Sequence, residues 1–244
     1  MTETQPEGFR QHRFVAPPGA TTVLLVRHGE SAPAVPGAPF PLRDGHGDPP
    51  LDPVGVEQAE LLGERLRHER VDAVYVTSLR RTHETAAPLA RHLGLVPIEE
   101  PDLREVFLGE WEGGELRRRV TDKDPLAAAM FEAGRWDVIP GAEPDDEFRG
   151  RVERAIERIA AAHPDEVVVA VVHGGVIGQA MNIASGARGF AFTGSDNASV
   201  THLVITPYRW IIRCFNDTAH LTDRFSTADE PPPVTGIRPA GVTF

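Results

Sequence analysis

Three short aliphatic segments, separated by longer stretches with helical periodicity, constrain the fold of this chain more than any other feature. They read TVLLV at 22–26, AVYVT at 73–77 and EVVVAVV at 166–172. Near-continuous apolar runs of this length are typical of strands covered on both faces, and their alternation with helices is the signature of βαβ units. The sequence therefore predicts an α/β fold with a mainly parallel sheet.

Two further β-branched runs near the end of the chain predict an antiparallel hairpin. They read SVTHLVIT at 199–206 and RWIIRCF at 209–215, and a short Pro-Tyr turn separates them. The sheet is therefore expected to be mixed. The Pro-rich loop at 32–50 is too irregular to assign to an element.

Three amphipathic patterns predict helices. The first runs from about Pro53 to Glu69, and the second follows Thr77 and stops at Gly94, with a kink expected at Pro88. The third begins behind the acidic residues at 145–147, which suit a helix N-terminus. Its apolar face is formed by Phe148, Val152, Ile156 and Ile159.

The size of the chain suits one large domain. With 244 residues, 41% of them hydrophobic, it is long enough to bury a substantial core. We expect a single domain over 1–244 with a folded core at about 21–225. The N-terminal arm, 1–20, and the Pro-rich tail, 226–244, bury little apolar surface, so both are expected to lie over the core or to be disordered.

Composition and charge exclude several classes of partner. A net charge of -11 argues against nucleic acid or an anionic membrane, because both are bound by neutralising phosphate with Lys and Arg. The single Cys214 excludes a disulfide framework and a cysteine-based metal cluster. No signal-peptide pattern or bilayer-length apolar run is present. We therefore expect a cytoplasmic protein, a monomer or homodimer.

Polar residues follow each of the three aliphatic strands: RHGE, TSLRR and HGG. Because ligands bind at the carboxyl ends of strands in open α/β sheets, four side chains are expected to meet there: Arg27, His28, Arg81 and His173. Guanidinium groups match phosphate oxygens, and the glycines from Gly174 onward open a helix whose free N–H groups also favour an anion. The pattern predicts a phosphoryl pocket in which His28 is the covalent carrier.

The chain resembles the histidine phosphatase superfamily, which includes the phosphoglycerate mutases. The resemblance rests on RHGES, TSLRRTHETA, LREVFLGEWEG at 103–113, HGG and NDTAHL at 216–221, in that order. It spans most of 22–221 and implies a phosphoglycerate mutase-like, three-layer α/β/α sandwich. It also implies that His28 takes the phosphoryl group and that Glu105 protonates the leaving alcohol and then helps to activate water. The oxygens would be held by Arg27, Arg81, His173 and Gly174.

Two assignments around these motifs have competitors. Arg80 competes with Arg81, although the motif register favours Arg81, and Glu84 is spaced to pair with Arg81 as a helix salt bridge. The run RRR at 117–119 is most simply a solvated helix face.

The acid-rich segment offers alternatives to Glu105. Glu110 and Glu112 compete with it, and an acid-rich loop is usually just exposed, but the motif register favours Glu105. Trp111 either lines the pocket or anchors packing. The remaining histidines share no spacing and are assigned surface or packing roles: His12, His46, His68, His83, His92, His163, His202 and His220.

The sequence thus predicts a phosphomonoesterase that acts on a small phosphorylated substrate through a phosphohistidine, with no metal and no cofactor. The first alternative is mutase-type transfer, which the sequence disfavours because no tryptophan and asparagine follow RHGES and position 34 is Ala34. The second is a non-catalytic phosphate-binding regulatory module, and the third a metal hydrolase, for which no His-x-x-x-His pattern exists. The segments 32–50 and 114–145 are expected to form a lid over the leaving group.

Overall fold

The computed structural model describes residue 9 and residues 11–222. The strands are β1 (Thr21–Arg27), β2 (Leu42–Arg43), β3 (His46–Gly47), β4 (Ala73–Val76), β5 (Ile98–Glu99), β6 (Val167–Val172), β7 (Val200–Ile205) and β8 (Trp210–Asp217). The α-helices are α1 (Pro53–Leu66), α2 (Arg80–Leu93), α3 (Glu115–Thr121), α4 (Pro125–Ala133), α5 (Asp145–Ala162) and α6 (Gly174–Ser185). Short 3-10 turns lie at Pro101–Leu103, Gly109–Trp111 and Trp136–Val138.

Six of these strands form one mixed sheet in the order β5-β4-β6-β1-β7-β8. The pairs β4/β5, β4/β6 and β1/β6 are parallel, whereas β7 pairs antiparallel with both β1 and β8. This arrangement confirms the mixed, mainly parallel sheet and the antiparallel hairpin near the end of the chain. Because β4, β6 and β1 are parallel neighbours, their carboxyl ends lie side by side at one edge.

Helices cover both faces of the sheet, as the apolar strands require. Val23 and Leu25 of β1 point into a core cluster with α5 and α6, whereas Leu24 and Val26 point into a second cluster with α1 and α2. This alternation follows from the two-residue period of a strand. The result is the expected three-layer α/β/α sandwich.

The predicted helices are present with small changes at their ends. Asp52 caps α1 by accepting the Val54 N–H at 3.1 Å, and the helix ends three residues before the predicted Glu69. Helix α2 ends at Gly94, whose φ of 67° is the left-handed conformation that glycine adopts at a helix C-terminus. The helix continues through Pro88, against which Gly63 of α1 packs closely.

The Pro-rich loop at 32–50 contains a small hairpin, β2–β3. Its two-residue turn, Asp44-Gly45, has positive φ angles of 51° and 84°, the pattern that an Asp-Gly turn supports. Each strand has only two residues, too few for an alternating pattern to reveal it. The Asp-Gly pair was the one local signal.

The described part of the N-terminal arm has no regular structure. Phe14 lies under the Arg213 guanidinium, 4.0 Å from carbon to ring centroid, and Gly19 donates its N–H to Asp165 Oδ1 at 2.6 Å. Residues 1–8, residue 10 and the Pro-rich tail from 226 onward lie outside the described residues. Within the described part of the chain, no helix is long and apolar enough to cross a membrane.

Candidate active site

The three polar strand ends meet as the sequence predicts. His28 follows β1 and His173 follows β6, and the centroids of their two rings are 5.2 Å apart with the planes tilted by 60°. Both side chains are buried. The adjacent strand ends therefore form the base of one pocket.

Backbone hydrogen bonds fix the orientation of the His28 ring. Its Nδ1 lies 2.7 Å from Gly29 O, and a carbonyl oxygen only accepts, so Nδ1 carries the proton and Nε2 keeps a free lone pair. On the other side, the Asn197 side chain donates to His28 O at 2.9 Å. His28 therefore presents Nε2 as its nucleophilic atom.

Gly29 lies too close to neighbouring backbone to carry a side chain. A Cβ built on Gly29 would lie 2.5 Å from Gly55 O, and one built on Gly55 would lie 2.0 Å from Glu30 O. The Gly29 N–H also donates to Thr85 Oγ1 at 2.9 Å. The motif loop is thus held against the first turn of α1 and against α2, which fixes the carbonyl that orients His28.

Arg81, and not Arg80, enters the pocket. The Arg81 side chain is buried and Nη1 donates to Gly47 O at 2.9 Å. Arg80 is exposed and pairs with Glu84, so the suggested pairing of Glu84 with Arg81 does not occur. Arg81, which the motif register favoured, is therefore the arginine that lies beside the histidines.

Arg27 and His173 each present a buried nitrogen with no partner among the described residues. Arg27 donates through Nη1 to Ser195 O, while its Nε is unpaired. His173 Nε2 lies 3.1 Å from Thr77 Oγ1, and its Nδ1 is unpaired. Thr77 Oγ1 also accepts the Leu79 N–H, and a hydroxyl that donates its proton to His173 Nε2 would place the imidazole proton on Nδ1. Unpaired buried donors beside each other suit an anion.

Burial and positive neighbours keep both histidines neutral. Burial, with Arg81 and Arg27 beside it, lowers the pKa of His28 well below its usual value. Burial, with Arg81 and His28 beside it, does the same to the pKa of His173. Burial lowers the pKa of Arg81 to about 10, so this guanidinium stays charged at neutral pH. The site thus combines two neutral imidazoles with fixed positive charge.

These shifts predict that acid destabilises the fold. Burial also lowers the pKa of His46, to about 4, so at mildly acidic pH the unfolded chain binds protons that folded His28, His46 and His173 do not. The free energy of unfolding should fall by up to about 1.4 kcal/mol per pH unit for each such histidine once the pH drops below about 6.5. Denaturant titrations between pH 7 and 5 measure this slope, and His46→Phe should make it shallower. A flat profile would contradict the burial of neutral imidazoles.

The Glu105 carboxylate lies at the N-terminus of α6, close to His173. Oε2 accepts the Gly175 N–H at 3.1 Å, and Oε1 accepts the Val106 N–H at 3.0 Å. Arg151 supports the segment by donating to Glu105 O at 2.9 Å. Glu105 is therefore the acid that the chain brings to the pocket, as the motif register predicted.

The competing residues of the acid-rich segment have other positions. Glu110 is exposed. Glu112, expected to be exposed, is instead half-buried and accepts two backbone N–H groups. Trp111 is a packing anchor, buried in a small cluster with Met130 and Ile139.

Two glycines at the start of α6 adjoin the site. A Cβ on Gly174 would lie 3.5 Å from Arg27 Nε, which is ordinary contact distance. A Cβ on Gly175 would lie 2.4 Å from Glu105 Oε1. Glycine at position 175 therefore permits the approach of the carboxylate.

Gly175→Ala should lower kcat about 10- to 100-fold with little change in folding, because the new methyl group displaces the Glu105 carboxylate. Steady-state kinetics on an alkyl phosphate measures the loss. Gly150→Ala is the matched control, since Gly150 lies in helix α5 and its added Cβ meets only the mobile end of Arg154. Equal activity of the two variants would show that Glu105 does not need its present position.

Arg117 is a pocket-mouth residue that sequence reasoning missed. Its guanidinium donates to Ser31 Oγ at 2.7 Å and to Ala32 O at 2.9 Å, and it lies 5.3 Å from the Phe40 ring centroid. The interpretation of 117–119 as a solvated face holds for Arg118, but it is incomplete for Arg117, which is exposed yet turns back to the motif loop. No local pattern distinguishes the two arginines.

The structure places His46 beside the site as well, although it was assigned a surface or packing role. Its ring packs edge-on against Phe107, with centroids 5.4 Å apart, and it is almost fully buried.

Among the residues that the structure describes, no group of three or more His, Cys, Asp or Glu side chains is arranged to hold a metal ion.

The mixed α/β sheet has two histidines and an arginine at its strand ends, with a second arginine and a carboxylate beside them, and its fold is that of phosphoglycerate mutase-like enzymes. Comparisons with known proteins agree. A mycobacterial glucosyl-3-phosphoglycerate phosphatase has a similar structure, with a TM-score of 0.68 and 25% identity over 82% of this chain and 100% of that chain.

The sequence relatives include phosphatases and, at 27% identity, probable phosphoglycerate mutases of Yersinia. A metal-independent phosphoserine phosphatase of Arabidopsis thaliana is 33% identical over 207 residues, 83% of this chain and 84% of that protein. Phosphoserine phosphatase 1 of Hydrogenobacter thermophilus is 31% identical over 215 residues, 84% of this chain and 97% of that protein. The model of the histidine phosphatase superfamily, branch 1, matches residues 23–218. The chain belongs to this superfamily, and it is a small-metabolite phosphatase within it.

Proposed function

We propose that this chain hydrolyses phosphomonoesters through a phosphohistidine at His28, without a metal ion, and that one domain carries the whole site. The observation that carries the proposal is the pairing of the two buried rings, 5.2 Å apart, with Nε2 of His28 free. Burial lowers the pKa of both rings, and the buried guanidinium groups of Arg27 and Arg81 lie close enough to His28 to lower its pKa further, as Arg81 does for the pKa of His173. A neutral nucleophile beside fixed positive charge is the arrangement that phosphoryl transfer needs.

In the first step, His28 Nε2 attacks phosphorus and the bond from phosphorus to the ester oxygen breaks. Protonated Glu105 gives its proton to the departing alcohol oxygen, which avoids release of a free alkoxide. The developing charge on the other oxygens is stabilised by Arg27, Arg81 and the Nδ1–H of His173. The bond from His28 Nδ1–H to Gly29 O persists and stabilises the positively charged phosphoimidazole.

In the second step, the same groups work in reverse. The Glu105 carboxylate takes a proton from water, the water oxygen attacks phosphorus, and the bond to His28 Nε2 breaks. Orthophosphate leaves and Glu105 is protonated again, so proton and charge balance over the cycle.

Rapid quench with a radiolabelled phosphomonoester tests this scheme. We expect a transient, acid-labile and base-stable phosphoprotein, with label ending in orthophosphate, and the same rates in excess chelator. Label ending on an added alcohol acceptor would favour mutase-type transfer instead. Loss of activity in chelator would favour a metal hydrolase, and absence of both phosphoprotein and turnover would favour a binding module.

We further propose that the leaving alcohol carries an anionic group, such as a carboxylate, that Arg117 binds. The support is that this guanidinium, at the pocket mouth, bonds only to the neutral oxygens of Ser31 and Ala32 in the described chain. Two relatives bear the names of phosphatases whose named substrates are phosphate esters of hydroxy acids. A cation paired only with neutral oxygens favours an anionic ligand group.

Arg117→Met compared with Arg118→Met tests this substrate class. Arg118 lies on the same helix and pairs with Glu115. We expect Arg117→Met to raise KM about tenfold for phosphoserine and not for an alkyl phosphate whose alkyl group carries no charge, because one charge-assisted contact is lost. Equal effects on both substrates would contradict a carboxylate contact.

A further inference from the structure

The small hairpin β2–β3 holds the phosphate-binding Arg81. Gly47 O of the hairpin accepts a hydrogen bond from Arg81 Nη1 at 2.9 Å. This carbonyl is the one hydrogen-bond acceptor of the Arg81 guanidinium within the described residues, and no carboxylate there lies within ion-pair distance of it. The direction of the guanidinium therefore depends on where the hairpin lies.

Glu112 anchors the hairpin at Gly47, beside the ion pair of Arg104 with Asp44 and the packing of His46 on Phe107. Its Oε2 accepts the Gly47 N–H at 2.7 Å, and its Oε1 accepts the Leu108 N–H at 2.9 Å. Leu108 lies three residues after Glu105 on the same segment. One carboxylate thus joins the hairpin that holds Arg81 to the segment that carries the catalytic acid.

The surroundings of Glu112 show that its carboxylate is buried and held by specific hydrogen bonds. Its side chain is 13% exposed, and Nδ1 of the neutral His46 ring lies 3.7 Å from Oε1. Burial raises the pKa of Glu112. Burying a carboxylate is costly unless hydrogen bonds compensate for the lost water, and here two backbone N–H groups do so. Glu110, two residues earlier, is exposed and its carboxylate makes no hydrogen bond in the described part of the chain.

We propose that Glu112 is a positioning residue for the phosphoryl transfer. It fixes Gly47 so that the carbonyl of Gly47 aims the Arg81 guanidinium at the phosphoryl oxygens, and it keeps that guanidinium in register with Glu105. The inference rests on the proposed function of Arg81 and Glu105. Because Glu112 acts through Arg81 in this proposal, substitution of Glu112 should have no effect on catalysis when Arg81 is absent.

A double-mutant cycle tests this dependence. Glu112→Gln keeps the size of the side chain but replaces one acceptor oxygen with an NH₂ group, which cannot accept from an N–H donor. We expect kcat/KM to fall about 10- to 100-fold, because a small misplacement of a charge-stabilising group has effects of this size. In an Arg81→Ala background, the same change should alter kcat/KM by less than about twofold. Glu110→Gln is the matched control and should leave activity unchanged.

An aryl phosphate with an acidic leaving group distinguishes a loss that arises from displaced Arg81 from a loss that arises from displaced Glu105. Such a substrate needs little help from a general acid, so a loss caused by displaced Arg81 persists with it. We expect the Glu112→Gln loss to persist. Equal losses in the wild-type and Arg81→Ala backgrounds, or a Glu112→Gln variant as active as Glu110→Gln, would overturn the proposal.

Two further measurements separate positioning from folding and from a failure of the proposed function. Glu112→Asp keeps the charge but is too short to span both N–H groups, so it should show the same Arg81-dependent loss of kcat/KM as Glu112→Gln. Thermal unfolding of each variant verifies that it is folded. Orthovanadate affinity should fall about tenfold or more in Glu112→Gln and stay unchanged in Glu110→Gln. A wild-type protein that hydrolyses no phosphomonoester would contradict the proposed function. Unchanged orthovanadate affinity in Glu112→Gln would contradict the positioning role alone.

Discussion

His28→Ala is expected to lower kcat/KM for phosphomonoester hydrolysis by at least about 10³-fold, because it removes the atom that accepts the phosphoryl group and leaves only charge stabilisation. Steady-state kinetics gives the loss, and rapid quench should detect no phosphoprotein in the variant. The arrangement that makes the effect large is the fixed tautomer: with Nδ1 bound to Gly29 O, Nε2 is the single nucleophilic nitrogen.

His68→Ala is the control for this experiment. His68 is an exposed residue just beyond the end of α1, away from the strand ends. The His68→Ala variant should retain full activity and the same phosphoprotein signal as the wild type. A His28→Ala variant that still forms acid-labile phosphoprotein would show that another residue carries the phosphoryl group.

Glu105→Gln should lower kcat/KM by about 10²- to 10⁴-fold for an alkyl phosphate, since the leaving alkoxide then departs without a proton. The loss should be much smaller for an aryl phosphate whose leaving group is already acidic. Comparing the two substrates therefore measures general-acid catalysis directly. The glutamine side chain retains one oxygen that can accept the Gly175 N–H, whereas the Val106 N–H loses its acceptor. The aryl substrate therefore also measures any part of the loss that comes from displacement and not from the missing proton.

Glu110→Gln provides the comparison on the same segment. It should match the wild type on both substrates, because Glu110 is exposed. Equal losses on the alkyl and aryl substrates in Glu105→Gln would contradict its role as proton donor. The contrast with Glu112→Gln is informative as well, because the loss in that variant should persist with the aryl substrate.

Much of the site follows from local sequence. Arg27, His28 and His173 directly follow aliphatic strands, and parallel neighbours place their carboxyl ends at one edge. The motif register then separated Arg81 from Arg80 and Glu105 from Glu110. The structure places Arg81 and Glu105 near the two histidines and leaves Arg80 and Glu110 exposed. For Arg81 this placement follows from its position on α2, because a helix fixes the direction of a side chain.

Other features depend on segments that meet only after folding. Gly47 and Glu112 are 65 residues apart, and the Gly175 N–H that holds Glu105 is 70 residues from it. Arg117 is the first of three consecutive arginines, and only the packing of α3 turns it toward Ser31. No periodicity or composition distinguishes such residues from surface charges.

The sequence by itself determined the layers, the strand ends and the residue types that meet there, because alternating apolar patterns specify which faces must be buried. The tertiary structure decided which half-buried carboxylate supports which arginine and which glycine must lack a side chain. The physical reason is that hydrogen bonds and close contacts between distant segments depend on distances of a few tenths of an ångström, and those distances are set only when the whole core has packed.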